Sequence, residues 1–172
     1  MAKLKSESGR TMLEMLGVLA IMGVIMYGAV AGIGFGVDVY KVNATFNDLE
    51  NLAQGVIDIY SWSPSGYREV NVCTLGENDV FDSSLNVSGA GKDCSVTMRM
   101  GAITRIFAST TPSALGSCPP DAMYCGYFVF RYNAIPKYAC DRLSNMRYAN
   151  LVVDLANSSC DADPAYLYFR SR

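Results

Sequence analysis

Residues 8–37 read SGRTMLEMLGVLAIMGVIMYGAVAGIGFGV. From Met15 to Val37 the stretch runs 23 residues without a charge. As a helix that block spans roughly 35 Å at 1.5 Å per residue, enough to cross a hydrocarbon core of about 30 Å. The nine residues MAKLKSESG at the start are polar, and basic through Lys3 and Lys5, which favours a cytoplasmic N-terminus. Three readings fit the block: a secretory signal with Ala29-Val30-Ala31 as its small-residue cleavage site, a plain single-pass anchor, or a signal cut on the cytoplasmic side, ahead of the apolar segment. Glu14 separates them. A carboxylate costs about 2.5–3.5 kcal/mol at the bilayer centre, less near its edge. An anchor gains nothing from that cost. A subunit whose carboxylate pairs with another chain's N-terminus does.

The wider composition narrows the classes of function. The chain has 172 residues and a net charge of -2, enough for one domain with a modest core and without a global basic field for nucleic acid. There is no His, which removes Ser-His-Asp and Cys-His catalysis and every His-containing metal site. No enzymatic chemistry, metal or cofactor is expected.

The segment SGRTMLEMLGVLAIMGVI resembles the N-terminus of type IV prepilins and their pseudopilin relatives. That family has a basic leader ending in Gly, a residue that becomes the N-methylated N-terminus, a Glu at the fifth mature position and an apolar helix. The resemblance implies a leader over 1–9, cleavage after Gly9 by a prepilin peptidase, Arg10 as the new N-terminus, and Glu14 as the assembly carboxylate. It also implies residues 10–37 as a membrane and polymerisation helix, 38–172 as a globular head, and identical subunits with the pilus assembly machinery as partners. The chain would sit in the inner membrane before assembly and then outside the cell in a filament, where adhesion, twitching motility, DNA uptake or conjugation would be set by exposed loops. Arg10 departs from the family, which usually has Phe or Met there, and places two positive charges beside Glu14. A secretion-system pseudopilin, and a secreted binding protein freed after Ala31, are the alternatives.

Within the apolar block Gly28, Gly32 and Gly36 recur at every fourth position. Each costs about 0.5–1 kcal/mol against Ala in a helix, so they mark either a smooth face for close packing or a point where the helix unwinds. After Val37 the pattern changes. Tyr40, Val42, Phe46, Leu49, Leu52, Ala53, Val56, Ile57 and Tyr60 recur near a 3.6-residue period, an amphipathic stripe. One helix from about Thr11 to Tyr60 follows, ended by SPSG at 63–66. Arg68–Thr74, Ser95–Phe107, Met123–Asn133, Asn150–Leu155 and Ala165–Arg170 read as strands. Turn-rich stretches lie at 83–93 and 109–122, and a short helix starts at Pro136. The expected fold is α+β: a long helix, half of it transmembrane, packed on an antiparallel sheet with disulfide-stapled loops. The resemblance implies the same type IV pilin fold.

Six cysteines, Cys73, Cys94, Cys118, Cys125, Cys140 and Cys160, all follow the apolar block. In an exported chain they read as up to three disulfides, with fifteen connectivities open. Cheap closure of short loops makes the sequential pairing Cys73–Cys94, Cys118–Cys125, Cys140–Cys160 the preferred one. The segment IPKYAC at 135–140 resembles the C-terminal region of type IVb pilins, where a disulfide ties the tail to the domain, which implies Cys140–Cys160. Weaker signals carry bland readings. Asn43, Asn86 and Asn157 head N-x-S/T matches. Asp161 and Asp163 are a solvated pair rather than a calcium site. Tyr127, Phe128, Phe130 and Tyr132 are sheet core rather than a nucleic-acid platform, since only Arg131 supplies charge beside them.

Overall fold

The computed structural model describes residues 8–78, 80–81, 85–90, 94–113 and 116–172; most of the leader expected over 1–9 lies outside them. The first helix, α1, runs Ser8–Tyr60. The chain divides into two compact units, Met1–Tyr40 and Lys41–Arg172.

In the second unit the α1 residues Val42, Thr45, Leu49, Leu52, Ala53, Val56 and Tyr60 are buried. Their spacing keeps them on one face. That face shares its core with the sheet residues Ile103, Ile106, Phe128, Phe130, Tyr132, Leu167 and Phe169. The stripe begins at Val42: Tyr40, expected to open it, is 65% exposed. The polar side of α1 is used as well. Glu50 Oε1 accepts from the Ala149 amide at 2.7 Å, Gln54 Oε1 accepts from Asn150 Nδ2 at 3.1 Å, and Arg99 pairs with Asp48 at 3.3 Å.

Among the described residues six strands form one antiparallel sheet, β1 (Asn86–Ser88), β2 (Ser95–Met98), β3 (Gly101–Ser109), β4 (Tyr127–Ile135), β5 (Leu151–Val153) and β6 (Ala165–Ser171), in the order β1-β2-β3-β4-β6-β5. Alternation assigns the faces. In β6, Leu167 and Phe169 point into the core, while Tyr166, Tyr168 and Arg170 are half-buried on the other face. In β4, Phe128, Phe130 and Tyr132 are fully buried, the sheet core that sequence reading expects. Phe130 stacks on Phe169 with centroids 5.1 Å apart.

Three expectations need correction. Arg68–Thr74 is not a strand. Asn71 caps a helix, α2 (Val72–Glu77), by accepting from the Thr74 amide, and Val72 and Leu75 are buried on the resulting face. A local cap outweighs the alternation of Val70 and Val72. The run Ser95–Phe107 is two strands, because Arg99 and Met100 make a turn and β2 folds back on β3 with Met98 opposite Gly101. The stretch 83–93 contains β1, whose Val87 pairs with Val96. The helix expected at Pro136 is α3 (Lys137–Ser144), with Pro136 as its N-cap.

The disulfides are Cys73–Cys94, Cys118–Cys125 and Cys140–Cys160, with Cα separations of 5.6, 5.9 and 5.5 Å. Each joins neighbours in the fold: α2 to the start of β2, the loop before β4 to itself, and α3 to the loop before β6. Gly66 adopts a φ of 64°, and a Cβ there would lie 2.3 Å from the Cys125 carbonyl oxygen. Glycine therefore lets the turn after α1 dock on the second disulfide, with Tyr67 N donating to Cys125 O at 2.9 Å. The result is an α+β architecture compatible with a pilin-like fold: a long N-terminal helix, an antiparallel sheet and three disulfides.

Candidate functional site

The first unit presents an apolar helix that is exposed among the described residues. Every residue from Met12 to Asp38 is exposed. Met12, Leu13, Met15 and Leu16, which bracket Glu14 in sequence, are 71, 75, 68 and 63% exposed. A folded monomer leaves apolar patches of a few hundred Å² at most. At about 1.5 kcal/mol or more per covered Val, Leu, Ile, Phe or Met side chain, covering this helix gains on the order of 20 kcal/mol, more than the whole stability margin of a typical domain. Among the described residues α1 is the one helix long and apolar enough to cross a membrane.

Glu14 sits inside this apolar surface rather than at its edge, since Met12 and Leu13 precede it. Both lie within the helix expected over 10–37. Gly9 and Arg10 lie in the first turns of α1.

Gly28, Gly32 and Gly36 are all in α1. A methyl group added at any of them would meet no other atom within 4 Å, so the chain's own packing does not require them. Gly32 follows Glu14 by 18 residues, about five turns at 3.6 residues each. Gly28 and Gly36 lie one turn either side of it. The glycines and the carboxylate therefore share one helix face, and a helix laid close along the glycines also runs past Glu14. Small residues allow such close approach. The triple variant Gly28→Ala/Gly32→Ala/Gly36→Ala is expected to raise the helicity of the chain, by up to roughly 1 kcal/mol per site, while weakening any close packing of a second helix along this face. Circular dichroism in detergent and a pelleting assay read the two effects separately.

Asp161, considered for calcium, pairs with Lys137 on α3, and that partner holds the carboxyl below its ordinary range. Of the N-x-S/T matches, Thr45 is fully buried and Asn157 donates to Asp154 Oδ2 at 2.9 Å. Compared with protein-family models, curated proteins and solved structures, the chain finds no match.

Proposed function

We propose that this chain is the structural subunit of a type IV pilus-like filament. In this reading a prepilin peptidase cuts between Gly9 and Arg10, α1 holds the subunit in the inner membrane, and the same helix then bundles with identical copies in an extracellular filament. The observation that carries the reading is an apolar helix exposed from Met12 to Val37, with a single carboxylate, Glu14, set among its first apolar side chains. A lipid bilayer can cover the apolar residues but leaves the carboxylate uncompensated. A neighbouring copy can cover both, because its N-terminal ammonium and Arg10 bring positive charge to the carboxylate. The disulfides support use outside the reducing cytoplasm.

Mass spectrometry of the mature N-terminus tests the proposal. A start at Arg10 is expected. A start at Gly32 would defeat it and return the secreted binding protein. Electron microscopy of sheared cell surfaces from the wild type and a knockout then separates a pilin, with long filaments lost in the knockout, from a pseudopilin, with none seen in either.

A further inference from the structure

The face of the sheet turned away from α1 gathers charge that no single strand reveals. Arg105 on β3 stands directly opposite Arg131 on β4. Arg131 in turn stands opposite Tyr168 on β6, and Arg170 lies two residues further along β6, opposite Val129. Like charges on directly opposed residues are destabilising. Among the described residues no carboxylate forms an ion pair with Arg105, Arg131 or Arg170. Three guanidinium groups thus stand together with no ion-paired carboxylate among the described residues.

The arginines alternate with rings. The Arg131 guanidinium lies 4.4 Å from the Tyr166 ring centroid and 5.8 Å from that of Tyr168. Arg105 lies 5.7 Å from the ring of Phe107. Tyr166 and Tyr168 meet edge to face at 6.0 Å. Arg131 Nε is buried without a hydrogen-bond partner, so the stack holds a donor unsatisfied. Arg105 and Phe107 also line a cavity of about 280 Å³, together with Arg68, Ile106, Ala108 and Ser117 among others.

We propose that this outward sheet face binds single-stranded nucleic acid. Three adjacent strands offer guanidinium groups to phosphates, and between them lie planar side chains on which bases stack. Aromatic rings and arginine planes on an open sheet are what unpaired bases need. An acidic polysaccharide would use the arginines but has no planar base for the rings. Free phosphate would use the arginines alone. Sequence reading expects no nucleic-acid partner because it sees only Arg131 beside the aromatics of β4; Phe128, Phe130 and Tyr132 do point into the core, whereas Tyr127, also expected there, is half-buried on the outward face.

The test uses the full-length chain in a zwitterionic detergent, a fluorescein-labelled oligothymidylate, and anisotropy across a salt series. Saturable binding is expected, with a log–log salt slope near -2, at about 0.7 per phosphate neutralised on a single strand. Arg105→Gln/Arg170→Gln should weaken binding at least ten-fold and bring the slope to about -0.7. Tyr168→Leu should weaken it about five-fold or more while leaving the slope unchanged. Arg131→Lys retains charge and bulk but not the plane, so it should lose affinity at constant slope even where a doubly substituted chain fails to fold. Absence of saturable binding by the wild type would overturn the proposal. So would equal displacement by polygalacturonate or inorganic phosphate at matched charge with Tyr168→Leu unaffected, which would leave only a polyanion patch.

Discussion

Subunits carrying Glu14→Leu are expected to be cut after Gly9, to accumulate in the membrane at the wild-type level or above, and to form no filaments. The three outcomes have separate physical causes. The proposed cleavage falls between Gly9 and Arg10, which the substitution leaves alone. Membrane residence improves, because the carboxylate costs about 2.5–3.5 kcal/mol at the bilayer centre and a smaller amount near its edge. Assembly fails, because the incoming subunit no longer offers a negative charge to the ammonium and the Arg10 guanidinium of its neighbour. Leaving a buried charge without its partner costs about 3–5 kcal/mol, and each 1.4 kcal/mol is a factor of ten. Docking should therefore weaken about a hundred-fold or more at every step of polymerisation. Glu14→Gln keeps the shape and a hydrogen-bonding oxygen, so its filaments should be sparse rather than absent. Arg10→Ala leaves the terminal ammonium and should be the mildest of the three. Immunoblots of membrane and sheared fractions, with electron microscopy of the latter, read all these effects. Normal filaments from correctly processed Glu14→Leu subunits would remove the assembly role from this carboxylate.

Much of the architecture could be read along the chain, because it is written in local periodicities. The block from Met15 to Val37 declares itself by composition. The lower half of α1 declares itself because Val42, Leu49, Leu52, Ala53 and Val56 bury one face and leave the other polar. The sequential disulfides follow from short closures, since each pair joins elements that are neighbours both in sequence and in space. What stayed illegible depended on single side chains or on register. Asn71 turns an alternating run into α2 through one capping hydrogen bond. β1 has three residues, too few to show a period. The outward face is the clearest case. Arg105 and Arg170 are 26 and 39 residues from Arg131 in the chain, and only the pairing of β3, β4 and β6 brings them to one patch. A strand read alone shows which of its side chains share a face, but not what its neighbours add to that face.

Removal of the third disulfide, as Cys140→Ala/Cys160→Ala, is expected to destabilise the chain by about 3 kcal/mol, the loop-closure value for a separation of 20 residues. That is a large part of a typical margin of 5–15 kcal/mol, and it should lower the melting temperature by roughly 10 °C. The second disulfide closes only 7 residues, so Cys118→Ala/Cys125→Ala should cost less, about 2 kcal/mol on the same scale. Position reinforces the difference. Cys140 is fully buried in α3 between Ala139 and Leu143 of the core side, and Cys160 stands just ahead of β6, which pairs with both β4 and β5. Losing the staple releases the loop that delivers β6, so hydrogen exchange should quicken first in β5 and β6. The Lys137–Asp161 pair spans the same junction, but both groups are fully exposed and solvent screening leaves little for it to add. Its sign can still be stated. Asp161 is held below its ordinary range by Lys137, so its contribution is present above the unfolded value and fades as pH falls through the folded one. Lys137 is raised, chiefly by Asp161, so its contribution fades only as pH rises through its folded value. Between about pH 5 and 9 both groups are charged, and the melting deficit of Cys140→Ala/Cys160→Ala should be flat across that window. A deficit no larger than that of Cys118→Ala/Cys125→Ala, or one that changes steeply with pH there, would show that the junction is held by something other than the disulfide.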